Sequence, residues 1–261
     1  MDIHLYGKNA LVCGSSKGIG KAAAIELAEL GASITLVSRS AEKMSDVIKD
    51  MKMGPTQDHD FLVVDYTHSD ELKKKVHALT VQRNYHILVN NTGGPPGGAI
   101  KDASIEEFEK AFHNHLICNH ILAATLRKGM IKEGYGRIIN IISTSVREPI
   151  DNLGVSNTIR GAVASWSKTL ANELGPLGIT VNNVLPGFTD TERLAEVLGG
   201  RAKESNVPYD DIIEQVKNQI PLKRLASPRE IGSVVAFLAS PAASYVNGIN
   251  MIVDGGRTKC I

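Results

Sequence analysis

Short apolar runs rich in β-branched residues alternate along the chain with longer stretches in which apolar residues recur at helical spacing. The short runs are mostly continuous rather than alternating with polar residues, which is typical of parallel strands covered on both faces. They predict seven strands, at residues 9–13, 33–38, 61–64, 86–89, 137–143, 180–185 and 249–253. The longer stretches predict six helices, at residues 19–30, 41–53, 70–80, 105–132, 157–174 and 228–239.

This alternation predicts an α/β fold, a three-layer doubly wound parallel sheet of about seven strands with right-handed crossovers and helices on both faces. Since no linker interrupts residues 1–261, we expect one domain. The polar segment 190–219 follows the sixth predicted strand. A long insertion at that end of a strand predicts a substrate lid, and a solvated pair of helices is the alternative.

Composition excludes several classes of protein. The chain has 261 residues, 43% of them hydrophobic, with 29 Lys and Arg residues against 28 Asp and Glu residues. This balance argues against a nucleic-acid or membrane-surface binder and leaves a small molecule as the expected ligand. Three widely spaced cysteines indicate a reducing compartment and no disulfide framework or zinc site. With no signal peptide or long apolar run apparent, we expect a cytoplasmic protein.

A glycine-rich segment lies between the first predicted strand and the first predicted helix. Residues 14–20 read Gly-Ser-Ser-Lys-Gly-Ile-Gly. Glycines allow a tight turn and a close approach of the backbone to phosphate, and a helix N-terminus presents free N–H groups to it. The segment predicts a dinucleotide-binding loop, and a purely structural glycine turn is the alternative.

Further motifs follow the fourth, sixth and seventh predicted strands: Asn90-Asn91-Thr92-Gly93, Pro186-Gly187 and Asp254-Gly255-Gly256. With the Gly-x-x-x-Gly-x-Gly spacing, they resemble the short-chain dehydrogenase/reductase family over nearly the whole chain, and within it the 3-oxoacyl-carrier-protein reductases. The resemblance implies the Rossmann fold and hydride transfer between a nicotinamide cofactor and a carbonyl or alcohol. The implied cofactor-binding residues are Gly14, Ser16, Lys17, Gly18, Ile19, Gly20, Arg39, Asp65, Asn91, Gly93, Arg160, Pro186, Gly187 and Thr189.

The choice of cofactor is indicated by the end of the second predicted strand. A carboxylate there would bind the adenosine ribose hydroxyls and repel a 2′-phosphate. The chain instead reads Ser38-Arg39-Ser40, and Arg39 offers a donor fork that suits phosphate. Lys17 can add a second positive charge. We therefore expect NADP(H), and two solvated surface cations are the alternative.

The catalytic pattern of the family is altered in this chain. The resemblance implies a Ser, a Tyr about thirteen residues later, and a Lys about one helical turn after the Tyr. Ser143 matches the Ser, but Ser156 and Arg160 stand at the other two positions. We expect Ser143 to orient the carbonyl and Arg160 to bind the ribose with a permanent positive charge. Ser156 or water would then complete the proton transfer, because a serine hydroxyl is a much weaker acid than a phenol.

Two further features lie near this site in the sequence. His115 stands where the resemblance implies a supporting Asn, with Asn114 adjacent. It could act as a substitute acid if its pKa were unperturbed, although a histidine packed on an interface helix is the simpler interpretation. The glycine- and proline-rich residues 93–98 predict either a shaped wall of the nicotinamide pocket or a rigid connection.

Two functions remain open on the sequence alone. The first is an NADP(H)-dependent oxidoreductase with an unusual acid–base pair, acting on a carbonyl or alcohol such as a 3-oxoacyl thioester. The second is an NADP(H)-binding protein without turnover, which would explain intact cofactor motifs beside a lost Tyr and Lys. The resemblance also implies a homodimer or homotetramer, paired through residues 105–132 and 157–174 and through the last helix and strand.

Overall fold

The computed structural model describes residues 1–260, and within them it has one sheet of seven parallel strands. Their order across the sheet is β3-β2-β1-β4-β5-β6-β7. Strands β2 and β3 are therefore added on one side of β1, and β4 to β7 are added on the other side. This arrangement confirms the predicted doubly wound α/β fold. The strands are β1 Asn9–Cys13, β2 Ser33–Ser38, β3 Asp60–Val63, β4 Ile87–Asn90, β5 Gly136–Ile141, β6 Ile179–Pro186 and β7 Asn250–Val253.

Helices cover both faces of the sheet. In residues 1–260 they are α1 Gly18–Glu29, α2 Ala41–Asp50, α3 Ser69–Gln82, α4 Ile105–Phe112, α5 Cys118–Glu133, α6 Gly154–Leu174, α7 Glu192–Ser205, α8 Tyr209–Asn218 and α9 Pro228–Ala239. The starts of α4 and α9 have the capping boxes that Ser104 with Glu107 and Ser227 with Glu230 form. No helix in this part of the chain is long and apolar enough to cross a membrane.

Each face of the sheet has its own apolar core. Leu27, Met44 and Val235 pack α1, α2 and α9 against one face. Leu72 and Leu122 belong to the core on the other face, under α3, α5 and α6. The apolar side of α9 is therefore buried within the chain, against α1, so its hydrophobicity does not by itself indicate a contact between subunits.

The predicted helix 105–132 is interrupted. A π-helical turn, His113–Ile117, separates α4 from α5. Such a turn inserts one residue into the helix and rotates the side chains that follow it. His115, inside this turn, is buried on the same side of the helical segment as Ala111 and Cys118. Helix α6 also begins at Gly154, three residues earlier than predicted, so Ser156 and Arg160 lie in its first two turns.

Four asparagines link the strands that carry the site. Asn90, Asn140, Asn183 and Asn250 are paired in register across β4 to β7. Their side-chain amides donate from one to the next at 2.8, 2.9 and 2.8 Å. Because a buried amide left unpaired costs about 1–3 kcal/mol, this ladder fixes how the ends of these strands are aligned.

The segment 190–219, predicted to be a lid, forms a helical hairpin with a small core of its own. It contains α7 and α8, which enclose the buried side chains of Leu198, Ile212 and Val216. The Thr191 side chain accepts a hydrogen bond from the Leu194 N–H and caps α7. The hairpin is thus more than a solvated pair of helices, although its role as a lid stays a prediction.

Candidate active site and cofactor cradle

The glycine-rich loop has the backbone geometry of a phosphate cradle. Gly14 and Gly18 both have φ of +58°, in the left-handed region that favours glycine. A Cβ on Gly20 would lie 2.2 Å from the Gly14 carbonyl oxygen, so no side chain fits there. Lys17, the N-cap of α1, makes no side-chain capping bond. The first N–H groups of α1 therefore receive no bond from their N-cap side chain and suit a phosphate group.

Two side chains hold this loop in place. Ser15, which is fully buried, accepts a hydrogen bond from the Val37 N–H at 3.0 Å and ties the loop to β2. Asn91 donates to the Gly14 carbonyl at 3.2 Å and ties it to the end of β4. The cradle therefore lies between the carboxyl ends of β1 and β4, where the sheet reverses and ligands of such folds bind. Ser16 and Ile19 lie in the same loop and the first turn of α1.

Arg39 and Asp65 lie together beyond β2 and β3. Their closest charged atoms are 3.9 Å apart, and the Arg39 side chain is 79% exposed. Hydrogen bonding from the Thr67 N–H, with a smaller effect of the Arg39 charge, lowers the pKa of the Asp65 carboxyl. Arg39 thus has a free guanidinium face at the end of β2, as a 2′-phosphate site requires.

Lys17 has a partner that the sequence analysis did not anticipate. Its ammonium group lies 2.5 Å from the Glu192 carboxylate, in the first turn of α7. Since both side chains are about half exposed, solvent screens this pair and its contribution is small. Lys17 is therefore not free for a phosphate until Glu192 releases it.

The loop after β6 lies beside the last strand. The Gly187 N–H donates to the Val253 carbonyl, and a Cβ on Gly187 would lie 2.6 Å from the Asp254 side chain. Thr189 is buried and donates to the Gly187 carbonyl at 3.2 Å. Pro186 and Gly187 thus have the compact turn expected of a cofactor-binding loop, and Thr189 follows directly.

The catalytic residues predicted from the sequence lie around the ends of β5 and α6. Ser143 follows β5, and its oxygen accepts a hydrogen bond from the Ser145 N–H at 3.1 Å. Its own O–H remains available to donate. Ser156 is 9% exposed and lies one turn before Arg160 on α6.

Arg160 is a buried cation attached to the end of β5. It is 9% exposed, and its Nη1 donates to the Ile141 carbonyl at 2.8 Å. In the part of the chain that the structure describes, its Nε is buried without a hydrogen-bond partner, and its Nη2 approaches Gly94, where a Cβ would lie 3.9 Å away. Burial lowers the pKa of the guanidinium to about 10, so it stays charged at neutral pH. Unused donors on a buried charge are typical of a site that a ligand completes.

His115 cannot serve as the acid considered from the sequence. It is 2% exposed, and its Nδ1 lies within hydrogen-bond distance of Thr92 Oγ1. Burial, and secondly the charge of Arg160, lower the pKa of the imidazole to about 2. It is therefore neutral at physiological pH. Its burial agrees with the simpler interpretation of a packed histidine.

His113 and His120, the histidines nearest to His115 in the sequence, contact groups outside the catalytic centre. His113 contacts the Tyr66 carbonyl at 3.1 Å, and His120 accepts from Trp166 at 3.4 Å. Within residues 1–260 no group of three His, Cys, Asp or Glu side chains could hold a metal ion.

Residues 93–98 connect the cofactor loop to α6 and to the helical hairpin. The Gly98 N–H donates to the Asn152 carbonyl at 2.7 Å, just before α6. Arg193 of α7 donates to the Pro95 carbonyl at 3.0 Å. The segment therefore lies between the hairpin and the start of the catalytic helix, as a pocket wall requires.

Family and structural comparisons agree with this geometry. A family model described as enoyl-(acyl carrier protein) reductase matches residues 14–258. The 3-oxoacyl-[acyl-carrier-protein] reductase FabG of Vibrio cholerae is 34% identical over 260 residues, covering 97% of this chain and 98% of that protein. The chain belongs to the short-chain dehydrogenase/reductase family.

NADPH, the predicted cofactor, appears in the name of one similar protein and in the structure of another. The NADPH-dependent reductase BacG of Bacillus subtilis is 30% identical, covering 97% of this chain and 99% of that protein. The structure of L-sorbose reductase from Gluconobacter frateurii with NADPH and L-sorbose superposes with a TM-score of 0.92 at 30% identity, covering 100% of both chains. The family and the fold are confirmed, and the cofactor of these members agrees with the prediction from Arg39 and Lys17.

Sequence reasoning missed the roles of Ser15, Thr92, Glu192 and Arg193. Ser15 and Thr92 stand inside quoted motifs, but nothing in the sequence indicates which backbone or ring they contact. Glu192 and Arg193 lie in the segment predicted as a lid. An acidic residue in the first turn of a helix is ordinary, so its pairing with Lys17 had no sequence signal.

Proposed function

We propose that this protein is an NADP(H)-dependent oxidoreductase that interconverts a carbonyl and an alcohol, with Ser143, Ser156 and Arg160 at its catalytic centre. The observation that carries the proposal is the buried guanidinium of Arg160. It is held at the end of β5 beside Gly94, with donors unused. A fixed charge in a site that excludes water stabilises a developing oxyanion far better than it would in water.

The cofactor is proposed to lie across the carboxyl ends of β1 and β4. The cradle formed by Gly14, Gly18 and Gly20 fits a pyrophosphate because side chains are excluded there. Arg39 would bind the 2′-phosphate, and Asp65 the adenine amino group. Asn91 and Gly93 would contact the adenosine ribose, Arg160 the nicotinamide ribose, and Pro186, Gly187 and Thr189 the nicotinamide end. When bound, the reduced cofactor supplies a hydride.

The chain's own residues then handle the carbonyl oxygen. Ser143 donates its O–H to that oxygen and orients the carbonyl. The Arg160 charge stabilises the negative charge that develops as the carbonyl is reduced. Ser156, or a water held by it, supplies the proton. Because Arg160 keeps its proton at neutral pH, the positive charge acts by electrostatics rather than by proton exchange.

A second function is favoured by one observation, which is that no phenol replaces the missing tyrosine. The buried hydroxyl of Tyr85 pairs with Thr35, and that of Tyr135 donates to the Ala239 carbonyl. Within residues 1–260 no Tyr hydroxyl is hydrogen-bonded to Ser143, Ser156 or Arg160. A protein that binds NADP(H) without turnover would have the same arrangement.

A single-turnover experiment separates the two functions. NADPH is bound first, a carbonyl substrate is added, and the loss of NADPH absorbance is followed in the wild type and in Ser156→Tyr/Arg160→Lys. The panel contains 3-oxoacyl thioesters, sugar ketones and simple ketones, because the relatives above are named for the first two classes.

The reductase proposal expects substrate-dependent NADPH oxidation by the wild type. Oxidation only by the double variant would instead favour binding without turnover, since a positioned acid contributes about 10²- to 10⁴-fold. Failure of the wild type to bind NADPH would overturn both functions. We place 3-oxoacyl thioesters first in the panel.

The proposal also covers the domain organisation, the oligomeric state and the cellular compartment. We infer one domain, with residues 190–219 as its lid. We also infer a homodimer or homotetramer paired through residues 105–132 and 157–174 and through the last helix and strand. Ile117 and Ile131, in the first of these segments, are exposed. Sedimentation equilibrium measures the assembly directly. Buried free thiols at Cys13 and Cys118 fit a reducing, cytoplasmic compartment.

A further inference from the structure

A hydroxyl–imidazole pair lies behind the catalytic centre. Thr92 follows β4 in the segment that contains Gly93 and Gly94, and its Oγ1 is within hydrogen-bond distance of His115 Nδ1. His115 lies within the π-helical turn 113–117, between α4 and α5. The pair therefore joins the loop after β4 to the helix that packs against the start of α6.

The pair also faces the charge of Arg160. The positive charge of Arg160 acts on the imidazole, which also makes a hydrogen bond with the Gly93 backbone. Arg160 Nη2 lies beside the next residue, Gly94. A charged imidazole here would repel the buried guanidinium, so His115 serves as a neutral hydrogen-bonding group. Among the described residues, Arg160 of α6 is the charged group that acts on the imidazole, and Thr92 and Gly93 contact it from the loop after β4.

We propose that Thr92 and His115 are positioning residues that hold the Gly93–Gly94 segment against Arg160 and so fix where the guanidinium directs its unused donors. Within residues 1–260 Arg160 makes one hydrogen bond, to the Ile141 carbonyl, and a guanidinium with a single anchor can rotate about it. The backbone at Gly94 lies beside Arg160 Nη2 and restricts that rotation. The kinetic consequence rests on the proposed reductase function, but the positioning itself does not.

The first experiment measures positioning without turnover. Arginine Nε–H signals and histidine ring nitrogens are observed by NMR in the wild type, Thr92→Val, Thr92→Ser and the control Thr125→Val. The control makes the same chemical change on α5, where Thr125 bonds only to the Ile121 carbonyl. We expect Thr92→Val to shift or broaden the Arg160 Nε–H signal and to change the His115 ring nitrogen shifts. Thr92→Ser restores both signals, and Thr125→Val leaves them unchanged.

The second experiment tests the charge that His115 faces. In the wild type we expect a neutral imidazole in one tautomer down to about pH 4, far below the ordinary value near 6.5. Arg160→Gln should raise the pKa of His115, because an opposing charge is removed, whereas Arg160→Lys should leave it low. Ordinary titration of His115 near 6.5 in the folded wild type would overturn the proposal.

The third experiment reads the consequence for catalysis. If the wild type turns over, Thr92→Val should lower kcat about 10-fold, the effect of about 1.4 kcal/mol in transition-state stabilisation. The Kd for NADPH should change less than about 2-fold. Rescue by Thr92→Ser is expected, since it returns the hydroxyl. An unchanged kcat would overturn the catalytic part. Absence of turnover in the wild type would count against the proposed function alone, and the NMR measurements would still decide the positioning.

Discussion

The two ends of the site differ in what they are made of. The cofactor cradle is made of backbone, with glycines at positive φ and contacts too close for any side chain. The catalytic end is proposed to consist of the side chains of Ser143, Ser156 and Arg160, and we expect the last two to stand in place of the family's Tyr and Lys. A Cβ on Gly14 or Gly20 would meet a backbone carbonyl oxygen, so this end depends on the absence of side chains. A side-chain site can exchange its groups while the surrounding fold persists, and then its chemistry has to be derived from burial and charge.

The same contrast appears in the electrostatics. At the cofactor end, Arg39 and Lys17 are exposed and paired with Asp65 and Glu192. At the catalytic end, Arg160 is buried with donors unused, and the imidazole beside it is neutral. Exposed pairs are screened and contribute little, whereas a buried charge dominates its surroundings. We therefore expect substitutions at the catalytic end to have larger effects than charge changes at the cofactor end.

The largest effect is expected from Ser143→Ala. Removal of the one O–H proposed to donate to the carbonyl should lower kcat about 10²- to 10³-fold, as the loss of an oxyanion donor does. The Kd for NADPH, measured by fluorescence titration, should stay within about 2-fold. Ser165→Ala, on the exposed side of α6, is the matched control and should retain activity. Full activity in Ser143→Ala would remove Ser143 from the mechanism.

Gly20→Ala should damage the cofactor end. The added Cβ would meet the Gly14 carbonyl oxygen at 2.2 Å, and the loop must shift to accommodate it. Strain of about 1–3 kcal/mol corresponds to NADPH binding about 5- to 150-fold weaker. Gly200→Ala is the control, because a Cβ there meets nothing within 4 Å. A folded Gly20→Ala protein, checked by circular dichroism, with unchanged NADPH affinity would refute the cradle.

A smaller effect is expected from Glu192→Gln. Lys17 lowers the pKa of the Glu192 carboxyl, so the carboxylate stays charged at neutral pH and competes with a phosphate for Lys17. The substitution should tighten NADPH binding about 2- to 5-fold at low salt and less at high salt. Glu196→Gln, one turn further along α7, is the control. Weaker NADPH binding in Glu192→Gln would indicate that the pair supports the cradle instead of competing with the cofactor.

The smallest change is expected in the pH profile. The charge of Arg160 is complete below its pKa of about 10 and is lost only as pH rises through that value. His115, with a pKa of about 2, is neutral throughout. The single-turnover rate should therefore vary less than about 2-fold between about pH 6 and 9. Ser156→Tyr/Arg160→Lys should add an ionisation in this range, and a bell-shaped profile in the wild type would reveal an acid outside the proposed set.

Much of the fold was predictable because local patterns determine it. The strands β1 and β2 and helix α9 have the predicted bounds, and the other strands differ by one or two residues at their ends. Helix α6 was predicted to begin at residue 157 but begins at Gly154, since its first turn is apolar only in part and packs on α4. The π-helical turn was not predictable, because it interrupts a segment whose local sequence favours a continuous helix.

The order of residue types along the chain was sufficient to identify the family, the parallel sheet and the glycine cradle, and it led us to expect Ser156 and Arg160 in place of the family's Tyr and Lys. These depend on residue types in fixed order, and a one-dimensional pattern records them. Three features became visible only in the folded chain: Arg160 is buried with unused donors, Glu192 forms an ion pair with Lys17, and His115 lies beside Thr92 and remains neutral. Each of these depends on which groups from distant parts of the chain surround a charge and exclude water from it. Burial and neighbouring charge, rather than residue type, set the energy of that charge.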